Sequence, residues 1–291
     1  MTDEANTALA WGTALGHSNP GWAGRWPARV LLAVMLLVPA LTSAVGERSE
    51  KPVWPTLIKP GLFGDREIVE GDEVIELRVP LRAEDSGVVP ISVNAKIPQT
   101  PERYIKTVYV FVDQNPRPLA GTFRLTPAMG RADLAMRLRV DQYSHVRAVA
   151  EMNTGELFMN KGFTRASGGC SEPPPFLELK EARERIGQMR LRVRQPDDGS
   201  ATALAQLSIS HPNITGLQLD QRTRSYIPAE YVTEVKISFN DTHVMTAETD
   251  ISISEDPSFR FFFRPDGPGT ITAEMTDSKG RHFLRRFDVV P

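Results

Sequence analysis

The chain has 291 residues, 41% hydrophobic and 24% charged, which is room for two globular domains and a poor match to a disordered tail. Against 36 Asp and Glu stand 34 Lys and Arg, a formal charge of −2, so no basic surplus draws in phosphate backbones or anionic lipid, and neither nucleic acid nor membrane is an expected partner of the processed chain. A single cysteine excludes an internal disulfide, so the fold must hold by core packing.

The first feature along the chain is the apolar run Val30–Val38, VLLAVMLLV. It is too short for a bilayer, which takes about 20 apolar residues. Arg25 and Arg29 precede it and Pro39-Ala40-Leu41-Thr42-Ser43-Ala44 follows. A positive flank, a short apolar centre and small residues at the end predict a signal peptide over 1–44, cleaved after Ala44, and an exported chain. Residues 45–69, rich in Pro, Gly and charge, read as a leader with one short strand.

Alternation then sets in. In Val89–Ala95 every second residue is apolar, and Leu134, Met136, Leu138 and Val140 share one face with Asp133, Arg137 and Arg139 among the residues opposite. Period-two patterning marks half-buried antiparallel strands. The segments are Val74–Val79, Val89–Ala95, Ile105–Val112, Leu119–Leu125, Leu134–Val140, His145–Met152 and Leu157–Thr164, separated by turn formers such as Asn115-Pro116 and Asn153-Thr154-Gly155. Seven short strands predict an immunoglobulin-like sandwich over 70–165. A second sandwich is expected over 187–291, from Met189–Arg194, Leu204–His211, Glu234–Phe239, Val244–Glu248, Ser258–Phe263, Gly269–Thr276 and Phe283–Val289. The fold class is therefore all-β, two sandwiches in series, with Phe259, Phe261 and Phe263 read as core.

Between them lies Ala166-Ser167-Gly168-Gly169-Cys170-Ser171-Glu172-Pro173-Pro174-Pro175, a flexible Gly-Gly meeting a stiff polyproline run. A linker over 176–186 follows, within a short charged helix expected over 176–188. Leu177, Leu179, Ile186 and Met189 are its seats on the sandwiches. A lone cysteine is more often a small buried hydrophobe than a reactive group. Here Ser-Gly-Gly before Cys170 and Ser-Glu-Pro-Pro after it supply no apolar neighbours, which predicts an exposed thiol on a mobile arm. Gly168 and Gly169, lacking Cβ atoms, would let that arm thread a narrow channel. His17, His145, His211, His243 and His282 have no spacing that shares a metal. No nucleophile elbow, phosphate loop or dinucleotide fingerprint occurs. No catalytic residue, metal or cofactor is expected.

Several segments together resemble a known pair of families. Tyr104-Ile105-Lys106, Val112-Asp113-Gln114-Asn115-Pro116-Arg117-Pro118, Val140 to Ala150 and the terminal Gly168-Gly169-Cys170 resemble SoxY, the carrier subunit of bacterial sulfur oxidation. His211-Pro212-Asn213-Ile214-Thr215-Gly216-Leu217, Tyr226-Ile227-Pro228-Ala229 and Ser252 to Phe261 resemble SoxZ. Order and coverage resemble a SoxY–SoxZ fusion across about 70–291, of the kind associated with quinoprotein dehydrogenases. The resemblance implies a non-enzymatic periplasmic carrier whose Cys170 holds thiosulfate-type sulfur intermediates for partner enzymes. Those partners would be periplasmic redox enzymes or c-type cytochromes, with the SoxY and SoxZ halves pairing within one chain. The alternative is an accessory interaction module for a quinoprotein (PQQ) dehydrogenase or its cytochrome, with the thiol incidental. One departure is plain: SoxY sets its cysteine in Gly-Gly-Cys-Gly-Gly near a chain end, whereas Ser171-Glu172-Pro173 and a whole domain follow it here.

Overall fold

The computed structural model describes residues 52–173, 176–196 and 199–290. The signal peptide expected over 1–44, the first part of the leader, and Pro174-Pro175 lie outside the described residues.

The first half supplies β1 (Ile68–Glu70), β2 (Ile75–Arg78), β3 (Val89–Ala95), β4 (Ile105–Val112), β5 (Leu119–Leu125), β6 (Leu134–Leu138), β7 (Ser144–Met152) and β8 (Leu157–Thr164). The second supplies β9 (Met189–Arg194), β10 (Ala203–Ile209), β11 (Leu219–Asp220), β12 (Ser225–Tyr226), β13 (Val232–Phe239), β14 (Thr242–Thr249), β15 (Ser258–Phe263), β16 (Gly269–Asp277) and β17 (His282–Val289). All the strands expected from alternation are present. β1 falls in the stretch read as leader, and β11 and β12, two residues each, carry too short a pattern to be foreseen.

The two sandwiches are not beads on a string. Both sheets run through both halves: the nine-stranded sheet has the order β1-β8-β7-β4-β5-β14-β13-β16-β17, and the six-stranded sheet β2-β3-β6-β15-β10-β9. At one seam β5 pairs antiparallel with β14, from Leu125↔Met245 to Gly121↔Thr249. At the other, β6 meets β15 at Ala135↔Arg260 and Leu134↔Phe261. Strands that would be exposed edges in separate sandwiches thus satisfy each other's backbone groups. A continuous core lies between the sheets, and at the seam the Phe123 and Phe259 rings meet edge-on, 6.1 Å apart. Phe259, Phe261 and Phe263 are buried, as their spacing predicted.

The leader is more structured than its composition suggested. A π-helical turn (Trp54–Ile58) runs into α1 (Lys59–Phe63) and lies on the outer face of the nine-stranded sheet. It explains why β4 is apolar on both faces. Val108, Val110 and Val112 point into the main core, while Tyr109 and Phe111 point outward under Trp54 and Phe63. Phe111 meets the Trp54 ring at 5.4 Å, and Phe63 meets Tyr109 at 5.2 Å. The charged linker helix is α2 (Phe176–Glu184), with Leu179 buried against the body; the Leu177 side chain lies outside the described residues.

Candidate functional site

Two segments, Arg139-Val140-Asp141 and the His211–Gln218 loop, build a cradle, and the Gly168–Glu172 arm lies in it. β6 ends at Leu138, and the chain continues as Arg139-Val140-Asp141, held by one bond across the halves and one within the first half. The Arg139 N–H donates to the Ser252 carbonyl at 2.8 Å and the Val140 N–H to the Ser86 carbonyl at 2.8 Å. Asn115 bridges the same segment: its Nδ2 donates to the Arg139 carbonyl at 2.8 Å, and its Oδ1 accepts the Asp141 N–H at 2.9 Å. Beside Asn115, Asp113 takes a bidentate ion pair from Arg147, whose guanidinium also sits 4.7 Å over the Trp54 ring. The first-half segments that resemble SoxY therefore shape one wall of the cradle.

The second wall is the His211–Gln218 loop. Asn213, buried and at φ 44°, donates through Nδ2 to the Ile253 and Ser254 carbonyls and accepts the Val232 N–H. His211 accepts the Asn213 N–H at Nδ1, which leaves the ring proton on Nε2, 3.5 Å from Asp277. Burial lowers the His211 pKa, with Asp277 opposing, so this imidazole is a neutral brace for the loop.

The arm is tied to both walls. Gly168 N–H donates to the Asp141 carbonyl at 2.8 Å and Gly169 N–H to the Val140 carbonyl at 3.0 Å. Arg139 Nη1 donates to the Gly169 carbonyl at 3.2 Å, and the Cys170 N–H reaches Asp141 Oδ1 at 3.3 Å. From the second half, Thr215 Oγ1 donates to the Cys170 carbonyl at 2.6 Å and Gln218 Nε2 to the Glu172 carbonyl at 3.2 Å. Gly169 is required by contact: a Cβ there would run into the Ser86 carbonyl and stand 2.8 Å from Val140 O. Gly168 has φ +87° with open space around its missing Cβ.

This overturns the expected exposure of the thiol. Cys170 is fully buried, at 0% relative exposure. Apolar sequence neighbours were the wrong criterion, because the arm is held in its buried position by Asp141, Arg139 and Thr215, distant in sequence. Gly168 and Gly169 also lie in a hydrogen-bonded register rather than in a free hinge. Arg139, read from alternation as a solvent-facing strand residue, lies beyond the end of β6 and is 5% exposed. Arg139, Asp141, Thr215 and Gln218 were not singled out from sequence, although Asp141 and Thr215 stand inside the quoted segments.

Burial raises the Cys170 thiol pKa to about 12; the Asp141 carboxylate pushes the same way and Arg139 opposes them. Docked, the thiol is therefore neutral and a poor nucleophile. An open cleft of about 520 Å³ adjoins the arm at Gly169. Glu84, Asp85, Glu172, Glu178 and Glu255 line it, with Arg139 at its wall. Carboxylates dominate the approach to the arm.

The family described as sulfur oxidation protein SoxY matches residues 59–170, and that described as sulphur oxidation protein SoxZ matches residues 189–288. Among solved structures, the sulfur carrier protein SoxY from Chlorobium limicola f thiosulfatophilum aligns with 38% of this chain and 88% of its own, at 22% identity and a TM-score of 0.32. A superoxide reductase (neelaredoxin) from Ignicoccus hospitalis covers 32% and 79% at 13% identity and TM-score 0.29. The fibronectin(III)-like modules of Clostridium thermocellum CbhA cover 74% and 93% at 9% identity and TM-score 0.21. No curated protein matches the chain.

Proposed function

Because this chain is a SoxY domain followed by a SoxZ domain in one polypeptide, we propose that it is a periplasmic carrier that holds a thiosulfate-type sulfur intermediate on Cys170 while separate redox enzymes act on it. These families are carriers and accessories of sulfur oxidation rather than catalysts. One observation supports this reading above the rest: the only cysteine in the chain is also the last residue of the SoxY match, and it sits on a segment tied down by a few hydrogen bonds.

Loading is an oxidation. The Cys170 thiol loses its proton to solvent, and its sulfur bonds to the outer sulfur of thiosulfate. Forming the S–S bond releases two electrons, which pass one at a time to two haems of c-type cytochrome partners. The product carries an anionic sulfonate. The docked pose has no room for it, since Cys170 is fully buried, and the Asp141 carboxylate and the acidic cleft repel it. The cradle thus suits the empty arm, and loading drives the arm outward to partner enzymes.

A second reading rests on the same burial. A thiol at 0% exposure with its pKa near 12 also suits an accessory module that docks to a quinoprotein dehydrogenase or its cytochrome without covalent carriage. Cys170→Ser separates the two. In periplasmic extract lacking the native protein, wild-type chain restores thiosulfate-dependent cytochrome reduction and Cys170→Ser does not; restoration by Cys170→Ser defeats carriage.

A further inference from the structure

The outer face of the six-stranded sheet carries arginines where an ordinary solvated face would mix both signs. Along β9, Met189, Leu191 and Val193 point inward, and Arg190, Arg192 and Arg194 are exposed. The face continues inward to Arg260 on β15 and Arg137 on β6, and across to Arg78 on β2. The pairings place Arg78, Ser92, Ala135, Arg260, Gln206 and Arg192 in one row across six strands. At about 4.8 Å per strand the row is roughly 24 Å long. Short side chains stand between the arginines, so the cations rise over a shallow floor.

Their charge is barely answered. Arg78 pairs with Glu76. Arg137 donates to the Asp256 backbone carbonyl at 2.6 Å, and its Nε has no partner. Among the described residues Arg190, Arg192, Arg194 and Arg260 have no ion pair. A row of like charges is a common guard on an edge strand. That accounts for β9, which is an edge, but not for Arg260 and Arg137, which sit mid-sheet on either side of the seam. Clustered like charge costs stability on a chain whose net charge is only −2.

We infer that this arginine face is a docking surface for the acidic face of a partner protein. Its span suits a protein–protein contact of ordinary size, and its single sign of charge calls for an acidic counterpart. Placement adds a reason. Arg137 lies two residues before Arg139, which grips the arm, so a partner laid on the face sits beside the arm's root. The inference does not depend on what Cys170 carries.

A labelled oligoglutamate peptide is the probe, titrated into the full chain at low salt by fluorescence anisotropy and again as ionic strength rises. Arg192→Glu/Arg260→Glu should lose about tenfold or more in affinity and flatten the salt dependence. Arg285→Glu/Arg286→Glu, exposed on β17 of the other sheet, is the control and should change little. If the first pair of reversals fails to fold by circular dichroism, Arg192→Gln/Arg260→Gln is read instead, with a smaller loss in the same direction. Equal effects in test and control variants overturn the inference. So does tighter binding of an oligonucleotide of matched charge, competition by equimolar free sulfate, or a self-association in sedimentation that the reversals abolish.

Discussion

The seam between the halves and the arm that lies across it are both held from two sides, but by different means. The seam joins β5 to β14 along a ladder from Leu125↔Met245 to Gly121↔Thr249, with Phe123 against Phe259 beneath it in a continuous core. The arm has single hydrogen bonds to loops and buries one small side chain, Cys170. Apolar burial and a ladder cooperate over many residues, whereas isolated hydrogen bonds contribute about 0.5–1.5 kcal/mol each. The difference separates what is permanent from what is releasable. Both halves form a fixed body, and on the proposed reading the more weakly held thiol segment is the part that leaves it.

The largest test of that contrast strikes the seam. Phe259→Ala removes a fully buried ring and should cost about 3–5 kcal/mol. Trp54, the one tryptophan after residue 44, reports from the first half, while Phe259 belongs to the second. Its fluorescence transition in denaturant should therefore shift by the full amount. An unshifted Trp54 transition would mean the halves unfold independently.

The arm should answer to pH where the seam does not. Cys170 is held protonated when docked, with its pKa raised from about 9 to about 12. Below about 9 both docked and free arms keep the proton, so docking has its full strength. Between about 9 and about 12 the free arm ionises and the docked one does not, so docking weakens by up to about tenfold per pH unit. Alkylation of Cys170 should then rise more steeply with pH than that of a free thiol, while the Trp54 signal stays native. A plain thiol titration with a midpoint near 8.5 would contradict the docked state.

Gly169→Ala sharpens the comparison at a single atom. Its Cβ cannot coexist with the Ser86 carbonyl, and overpacking of this kind costs about 1–3 kcal/mol. Alkylation of Cys170 at neutral pH should speed up about tenfold or more with little change in the unfolding midpoint. Gly168→Ala, with open space but φ +87°, should have a smaller effect. The smallest effect belongs to the tether. Cleavage at a protease site inserted in the 176–186 linker should leave the fragments co-eluting on size exclusion at micromolar concentration. Two separate monomers would show that the sheets do not hold the halves together.

The sandwiches were legible because period-two patterning is local: each strand carries its own alternation, and Phe259–Phe263 carries its burial. The sharing of both sheets was not, since β5 and β14 show no sign in their own residues of which strand they pair with. Tyr109 and Phe111 on the outward face of β4 went unread as a sign of a cover, which Trp54 and Phe63 supply. The site was half legible. Cys170 stood out by being alone and by its Gly-Gly lead-in. Its burial did not, because Asp141, Arg139 and Thr215 reach it from loops far away in sequence.

Intact-mass spectrometry of the chain purified from the periplasm of cells grown on thiosulfate tests the central claim most directly. The predicted result is a reductant-labile mass addition equal to one thiosulfate-derived group, absent in Cys170→Ser and mapped by peptide analysis to Cys170. A clean free thiol in protein from those cells would contradict carriage.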